Sequence, residues 1–261
     1  MRPLEYLSCS ILDFLYPEKC AQCGVEHQEG HWCPVGPMVD GLRAWDRPHL
    51  CRGCLVELSG ESVTSKLSFG EGGELKVLAA ARTGEDLVRL VGAWKYHGLR
   101  GLAWPLASWL AQALEEKFGF KEGNIGLVPV PLHRARRRSR GFNQAEVLVN
   151  LLAEEKRFKI LGDILKRTRP TGQQAKVAGS GARSRNLQNA FYCGTPAPPT
   201  GAPGLYLVDD LVTSGATVLS AAETLTRSGW EVTGVIALGV AAHYSEVKVE
   251  AEEAMDEEAT G

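Results

Sequence analysis

The sequence predicts an α/β fold built on a parallel sheet, with a small module in front of the sheet. Residues 205–208 and 125–131 form two largely apolar runs, which are typical of strands that are covered on both faces. After the first run, apolar residues recur at helical spacing, at Val218, Leu219, Ala222 and Leu225. A strand that leads directly into a helix is half of a βαβ unit. Ligands bind such sheets at the carboxyl ends of the strands.

The same criteria predict the elements that complete the sheet. Two further strands and three helices are expected at 75–81, 232–241, 85–95, 100–118 and 144–156. Asn143 is a suitable N-cap for the last of these helices. Residues 60–74 and 194–204 are rich in glycine together with serine or proline, and they predict linkers. The polar, glycine-interrupted residues 166–186 predict a mobile lid over a binding site.

The module before the sheet is predicted by two C-x₂-C pairs that are separated by 27 residues. Its cysteines are Cys20, Cys23, Cys51 and Cys54. Each pair can form a turn that offers two thiolates to one tetrahedral zinc ion. Four thiolates leave no open position, so the ion would be structural. Three residues between the pairs are alternative ligands: His27, His31 and Cys33.

The predicted organisation of the chain has four parts. They are an amphipathic helix at 1–16, a zinc-ribbon-like module at 17–60, the α/β domain at 75–243 and an acidic disordered tail at 244–261. Because the module and the sheet are separate in sequence, we expect separate cores. The substitution Cys51→Ser should then destabilise the module and leave the sheet intact.

Composition limits the classes of protein to which the chain can belong. It has 261 residues, is 44% apolar and 23% charged, and carries a net charge of −2. These values are ordinary for a globular protein, and the overall charge does not favour a nucleic-acid partner. An odd number of cysteines favours metal ligands over a disulfide frame. No apolar run reaches membrane-spanning length and no signal peptide is recognisable, so the expected location is the cytoplasm.

The turn after residues 205–208 predicts a site for a phosphate with hydroxyl groups beside it. Asp209 and Asp210 end the strand. The residues that lead from there into the helix are Val212, Thr213, Ser214, Gly215, Ala216 and Thr217. Hydroxyls and unpaired N–H groups at a helix N-terminus suit a phosphate, and a glycine allows close backbone approach. The carboxylates would repel that phosphate and suit hydroxyls or magnesium instead, so the ligand resembles ribose 5-phosphate. The competing interpretation is a helix cap beside two solvated acids.

Two basic features accompany this turn. Five arginines fall within residues 134–140, directly after the run at 125–131. Dense arginine at the end of a strand suits pyrophosphate or a nucleic-acid backbone, and the competing interpretation is a solvated basic loop. Because parallel strands end at one edge of a sheet, these arginines should lie near the acidic pair. Lys95, at the end of a predicted helix, is either a phosphate ligand or a solvated lysine that the helix dipole favours.

Residues 205–217 resemble the motif with which type I phosphoribosyltransferases bind 5-phosphoribosyl 1-pyrophosphate (PRPP). That motif is a hydrophobic strand, two acids and a Thr/Ser-Gly-x-Thr loop. In the family, the acids hold the ribose 2′- and 3′-hydroxyls and the loop holds the 5-phosphate. The resemblance implies the first role for Asp209 and Asp210 and the second for Val212 through Thr217.

Four further motifs resemble the competence protein F (ComF) family. They are Val-Pro-Val-Pro-Leu-His at 128–133, Arg-Gly-Phe-Asn-Gln at 140–144, and residues 167–174 and 183–191. That family joins an N-terminal four-cysteine zinc module to a C-terminal phosphoribosyltransferase-like domain, and the resemblance runs from about residue 17 to about residue 241. Ser214 departs from the more usual threonine but keeps the hydroxyl. Residues 175–182 lack a leucine that the family pattern has near Val177.

The first function that the resemblance implies is that of an enzyme, which we favour. Magnesium-bound PRPP would lose pyrophosphate as a nitrogen nucleophile attacks C1 of the ribose. Asp209 and Asp210 would be the catalytic residues, and Lys95, Arg134, Arg136 and Arg140 would bind the phosphates of PRPP. The acceptor is set by variable loops in such folds, so the sequence does not define it.

The second implied function is that of a binding protein. ComF-family members are linked to uptake of single-stranded DNA in natural transformation, beside a helicase-like partner. This chain would then bind DNA along the arginines and keep PRPP as a ligand only. Phe142 is the obvious aromatic residue beside the arginines, and this scarcity of stacking groups weakens the DNA hypothesis.

Overall fold

The computed structural model describes residues 19–26, 49–58, 61–70, 73–119, 125–154, 158–168, 190–195 and 204–244. Several predicted features lie outside these ranges. They are the helix at 1–16, the alternative ligands His27, His31 and Cys33, most of the linker at 194–204, the lid beyond residue 168 and the tail after residue 244.

The described chain alternates strands and helices in the order expected for an α/β fold. The helices are α1 (Arg52–Leu58), α2 (Glu85–Tyr96), α3 (Ala103–Phe118), α4 (Arg134–Arg140), α5 (Gln144–Glu154) and α6 (Ala216–Arg227). The strands are β1 (Val63–Phe69), β2 (Gly73–Arg82), β3 (Ile125–Pro129), β4 (Lys159–Ile160), β5 (Leu165–Arg167), β6 (Phe191–Cys193), β7 (Gly204–Val212) and β8 (Val232–Val240).

Six strands form one sheet in the order β1-β2-β8-β7-β3-β4, in which each neighbouring pair is parallel except β1 with β2. This arrangement confirms the predicted fold class. The carboxyl ends of β2, β8, β7 and β3 therefore meet at one edge of the sheet, where open α/β sheets bind ligands. β5 and β6 form a separate antiparallel ribbon, and β6 packs on α6.

The linker predicted at 60–74 is wrong, because Val63–Phe69 is an edge strand of the main sheet. Its register with β2 runs from Val63 opposite Ala79 to Phe69 opposite Gly73. The serines and glycines around it suggested a linker, but Val63 and Leu67 on the same face are both buried. Pairing with β2 and this half-buried face outweigh the composition.

The arginines at 134–140 form a short helix, an element that the sequence did not predict. His133 is its N-cap, and its Nδ1 accepts a hydrogen bond from the N–H of Ala135 at 3.2 Å. Gly141 ends the helix with φ +82°. The helix that follows begins after Asn143, whose Oδ1 accepts from the N–H of Ala145 at 3.3 Å, as the predicted N-cap requires.

Each face of the sheet has its own apolar core, as the alternation of side chains along a strand dictates. On β2 and β8, Leu78 and Ile236 face helices α2, α3 and α5, whereas Val77 and Val235 face α6 and the β5–β6 ribbon. The strands that end at the carboxyl edge are therefore covered on both faces, and the turns at that edge follow directly from buried strands.

The cysteine module shares the first of these cores, which corrects the expectation of separate cores. Cys20, Leu50, Cys51 and Cys54 are buried in one contiguous cluster with residues of α2 and α3 such as Trp94. Sequence separation suggested independence, but the module has too little apolar surface to bury alone and packs on the helices instead. Loss of the module's structure is therefore expected to expose part of the main core.

No helix in the described ranges is long and apolar enough to cross a membrane.

Candidate functional site

The acidic pair lies at the carboxyl end of β7, the strand between β8 and β3. Asp210 is buried, and Asp209 is half-buried. The backbone holds both carboxylates: the Asp209 Oδ1 accepts from the N–H of Asp210 at 2.9 Å, and the Asp210 Oδ1 accepts from the N–H of Leu211 at 2.6 Å. Two acids are therefore concentrated at the edge where ligands of this fold bind.

Lys95 forms an ion pair with Asp210. Its Nζ lies 2.7 Å from the Asp210 Oδ1, and the side chains of Lys95 and Asp210 are only 18% and 11% exposed. Trp94, which precedes the lysine on α2, is fully buried and fixes the end of that helix against the core. The pair joins the end of α2 to the end of β7, although the two residues are 115 positions apart.

Asp209, the other member of the acidic pair, has a strongly raised pKa. Burial, and then the adjacent charge of Asp210, raise the pKa of Asp209 to about 7 from its ordinary value of 3.8. The Asp210 N–H, Lys95 and Arg167 oppose this rise by favouring the charged form. The Asp209 carboxyl consequently changes its charge near neutral pH.

Arg167, at the end of β5, brings a further cation to the same place. Its Nη1 donates to the carbonyl oxygen of Pro131 at 3.4 Å, and its guanidinium lies 5.1 Å from the ring centre of Phe191. Burial lowers its pKa, and the nearby charge of Arg136 adds to this effect, whereas Asp209 raises it. The charges of Asp209 and of Arg136 on helix α4 thus both act on Arg167.

The turn from β7 into α6 has the conformation that a close backbone approach requires. Gly215 is the N-cap of α6 with φ +67°, a region that side chains other than glycine rarely adopt. Thr213 and Ser214 are exposed, Ala216 and Thr217 are half-buried, and Val212 is buried in the core. We call residues 212–217 the phosphate loop, after the ligand that their sequence predicts.

The phosphate loop is covered on one side by β1 and by the residues after β8. A Cβ at Gly215 would lie 2.9 Å from the Tyr244 hydroxyl and 3.1 Å from both δ carbons of Leu67. Arg82 ties down the segment that carries the tyrosine, since its Nη1 donates to the Tyr244 carbonyl at 2.7 Å. Gly215 is thus required both for its φ and for the space that Leu67 and Tyr244 leave.

The arginine segment, residues 134–140, follows β3 at the same edge of the sheet. Arg134, Arg136 and Arg138 are exposed, and Arg137 pairs with Glu146 at 2.5 Å. Arg140 differs from these four because its side chain is held from two sides. Its Nη1 donates to the Gln144 Oε1 at 2.6 Å, and its guanidinium lies 4.9 Å from the ring centre of Tyr96.

The structure thus gathers most of the predicted site at one edge. The acidic pair, Lys95 and the phosphate loop lie together. The arginine segment follows the neighbouring strand β3 at the same edge, and the charge of Arg136 acts on Arg167. Sequence reasoning assigned no site role to Arg167 or Tyr244. Arg167 stood in a motif of the family resemblance, which was a usable signal. Tyr244 had none, because its proximity to Gly215 depends on the path of the chain after β8.

The four cysteines of the two pairs form a second site. Their sulfur atoms all lie within 4.8 Å of one another, so they can surround a metal ion such as zinc. The N–H groups of Cys51 and Cys54 point at sulfur atoms, at 3.5 Å from the Sγ of Cys20 and Cys51 respectively. Such contacts stabilise thiolates, which are the form that binds metal.

The thiol pKa is shifted at Cys20, Cys51 and Cys54, and it is lowest at Cys20. Burial alone would raise this pKa, but hydrogen bonds from the backbone of Cys23, Cys51 and Gln22 outweigh it and lower the pKa to about 7. Burial raises the pKa of Cys51 and of Cys54, and neighbouring sulfur atoms add to the rise for Cys54. The backbone of the module therefore favours the thiolate form of Cys20, the form that binds metal.

The fold and the sites define a class of protein. It is an α/β protein with a mostly parallel sheet, which has an acidic pair and a glycine turn at its carboxyl edge. A four-cysteine module packs on its helices. No protein-family model matches the chain. Sequence comparison identifies curated relatives. "DNA utilization protein YhgH" of Escherichia coli strain K12 is 36% identical over 103 residues, and "Competence protein F" of Haemophilus influenzae is 32% identical over 105 residues. Both relatives are more than 30% identical to this chain over the matched segments, which supports the resemblance to the ComF family.

The matched segments cover 40% of this chain and 44% and 45% of the two relatives, so the chain aligns with less than half of their length. A solved structure of orotate phosphoribosyltransferase from Aeropyrum pernix is also similar, covering 71% of this chain and 78% of its own. Its identity is 16% and its TM-score is 0.27, which is too low to support any conclusion.

Proposed function

We propose that the carboxyl edge of the sheet binds PRPP. The observation that carries this proposal is the uninterrupted path from the acidic pair, through the glycine turn, to the N-terminus of α6. Backbone N–H groups at a helix N-terminus attract a phosphate, and the carboxylates one strand-end away accept hydrogen bonds from hydroxyls. PRPP carries a phosphate on C5 and hydroxyls on C2 and C3 of the same ribose.

In this proposal, the phosphate loop binds the 5-phosphate, and Asp209 and Asp210 bind the ribose 2′- and 3′-hydroxyls. Lys95 offsets the charge of Asp210, because its ammonium lies 2.7 Å from the carboxylate. The direct contact between Lys95 and a phosphate of PRPP stays a prediction. The pyrophosphate lies towards Arg134, Arg136 and Arg140, and Arg167 adds a fourth cation there.

We further propose that the chain is a transferase acting on the magnesium complex of PRPP. The bond between C1 and the pyrophosphate oxygen breaks, and its electron pair leaves with the pyrophosphate. The lone pair of an acceptor nitrogen forms the new bond to C1, and that nitrogen gives up a proton. The ribose ring gains positive charge in the transition state, and the carboxylates beneath it supply electrostatic stabilisation.

Isothermal titration calorimetry with PRPP and magnesium tests the binding step. We expect the wild-type protein and Asp163→Asn to bind PRPP alike, because Asp163 is an exposed acid outside the pair. Asp210→Asn should weaken binding by about tenfold, as expected for one hydrogen bond to a charged group. Absence of heat for the wild type at saturating magnesium would remove the proposal.

The alternative function is a single-stranded DNA-binding accessory protein, with PRPP as a ligand only. The exposed guanidiniums of Arg134, Arg136 and Arg138 favour it, as do the names of the two relatives. By the family resemblance, the protein would act in DNA uptake beside a helicase-like partner in the cytoplasm. Pyrophosphate release from PRPP in the presence of nitrogen bases supports the transferase. Salt-sensitive binding of single strands without release of pyrophosphate supports the accessory protein.

We propose that the cysteine cluster binds one structural zinc ion. Metal analysis of the purified protein should give one zinc per chain, and Cys51→Ser should lose it. Because Cys51 is buried in the core that also contains α2 and α3, we now expect the substitution to lower the melting temperature of the whole chain. Glu57→Gln, on the exposed side of α1, is the matched control and should retain zinc. A wild-type protein without zinc contradicts this proposal.

A further inference from the structure

Tyr96 is the last residue of α2 and is 73% exposed, although it directly follows the lysine that contacts Asp210. The rest of this end of the helix is fixed. Trp94 is buried in the core, and Lys95 is held by its ion pair. The tyrosine ring is therefore presented to solvent from a rigid position beside the candidate PRPP site.

Arg140 lies over this ring and is itself immobilised. Its guanidinium is 4.9 Å from the ring centre of Tyr96, within the range of a cation–π interaction. Its Nη1 donates to the Oε1 of Gln144, a side chain that is only 1% exposed. The Nε2 of Gln144 has no hydrogen-bond partner within the described ranges. The buried amide thus holds the guanidinium by a hydrogen bond, and the guanidinium lies over the exposed aromatic ring.

The other aromatic residue beside the arginines is not available for stacking. Phe142 is 6% exposed, with the guanidinium of Arg100 5.2 Å from its ring centre and Trp94 at 6.1 Å on the same cluster. Tyr96 therefore supplies the exposed aromatic surface that the sequence around the arginines lacks.

Exposed aromatic surface next to several guanidiniums is the combination with which proteins bind single-stranded nucleic acid without sequence preference. Bases stack on the rings, and cations follow the phosphates. Arg134, Arg136 and Arg138 are exposed along the helix that ends at Arg140. Their charge complements a polyanion, whereas a free uncharged base would use only the ring.

We propose that Tyr96 and Arg140 form a stacking platform for one base of a single-stranded nucleic acid, whose neighbouring phosphates contact Arg134, Arg136 and Arg138. Tyr96 lies outside the proposed PRPP site, whereas Arg134, Arg136 and Arg140 are shared between the two proposed ligands. The inference rests on the accessory-protein function proposed above and names the residues that would carry it.

The test is fluorescence anisotropy with a labelled oligothymidylate of about 12 nucleotides and with the same strand made abasic. Tyr96→Ala should weaken binding of oligothymidylate about tenfold and leave the abasic strand unaffected, whereas Tyr96→Phe should bind both like the wild type. Tyr192→Ala removes a half-exposed tyrosine from β6 and is the matched control. Melting temperatures should be unchanged for the two Tyr96 variants, because Tyr96 is 73% exposed.

Salt dependence separates the ring from the arginines. Tyr96→Ala should keep the wild-type slope of log affinity against log salt, whereas Arg138→Ala should flatten it by about 0.7. If the wild type binds the strand but Tyr96→Ala binds it equally well, the platform is overturned and DNA binding stands. If the wild type binds no strand, the platform and the proposed DNA-binding function both fail. PRPP binding remains testable by calorimetry. A loss in Tyr96→Ala that affects only turnover with a free nitrogen base also overturns the platform and indicates an acceptor site.

Discussion

The phosphate loop and the arginine segment follow neighbouring parallel strands, β7 and β3, at the same edge of the sheet, yet they are built in opposite ways. The loop is defined by its main chain: Gly215 has a positive φ, and Leu67 and Tyr244 leave no room for a Cβ. The arginine segment has no buried residue along its helix, and its chemistry is carried by long exposed side chains.

Under the proposed function, this difference predicts two kinds of anion recognition at one edge. Backbone N–H groups occupy fixed positions, so the loop can bind one phosphate in one place. Exposed guanidiniums can follow a pyrophosphate or a longer polyanion, because each adjusts its own rotamers. Loss of the loop geometry should therefore abolish a function, whereas loss of one arginine should only reduce it.

The largest effect is expected from Gly215→Ala. The left-handed φ costs an alanine about 1–2 kcal/mol of stability, and the clash with Leu67 and Tyr244 displaces the loop. PRPP affinity should fall by about 100-fold, as expected if more than one charge-assisted hydrogen bond is lost. The control Gly119→Ala has a similar φ of +61° with no atom within 4 Å of the new Cβ, so it reports the strain alone. Equal PRPP affinity in Gly215→Ala and the wild type would contradict a backbone-defined phosphate site.

Breaking the ion pair between Lys95 and Asp210 should have the next largest effect. Lys95→Met leaves a nearly buried carboxylate without its cation, and unfolding in denaturant should show a loss of about 2 kcal/mol. Asp210→Asn should cost a similar amount, and the double variant should cost less than the sum of the two, because the partners are coupled. Additive losses would show that the pair contributes nothing to the stability of this edge.

Single arginines should have smaller and graded effects, which sharpens the comparison. Arg136 is the member of the segment whose charge acts on Arg167, so Arg136→Ala should weaken PRPP about tenfold and ribose 5-phosphate hardly at all. Arg138→Ala is the matched control on the same helix and should change PRPP affinity by less than about twofold. Melting temperatures should barely move in either variant. A sharp drop in the melting temperatures of both variants, with PRPP affinity unchanged, would show that the segment has a structural role.

The last prediction concerns the pH dependence of Asp209. Its pKa is raised in the folded protein to about 7, so between pH 4 and pH 7 the folded state binds a proton that the unfolded state has released. This carboxyl therefore lowers stability as pH rises through that window. Asp209→Asn removes the loss, so its stability relative to the wild type should increase from pH 4 to pH 7 and then level off. Thermal unfolding across pH measures this, and a constant difference would contradict the raised pKa.

The same titration should appear in binding. The ionised carboxylate accepts hydrogen bonds from ribose hydroxyls, so wild-type affinity for PRPP should rise a few-fold between pH 6 and pH 8. Asp209→Asn shares the titration of the ligand but lacks that of the carboxyl, so its profile is the reference. Parallel profiles would assign the change to the phosphates of PRPP.

Local patterns in the sequence determined much of this protein. The apolar runs predicted β3 and β7, the helical spacing predicted α6, and the paired cysteines predicted a cluster whose sulfur atoms do meet. Each of these depends on residues that are near in sequence or on a spacing that constrains the chain. The acidic pair and the phosphate loop were found for the same reason, because they form one continuous stretch.

Tertiary structure alone decided the rest, because it depends on which distant residues pack together. β1 lies in residues whose composition suggested a linker, and it became a strand through its pairing with β2. The burial of the cysteine module against α2 and α3, the ion pair of Lys95 with Asp210 and the stack of Arg140 on Tyr96 all join separate segments. Periodicity and motifs report the face of one element, whereas these contacts depend on how two elements are placed by the shared core.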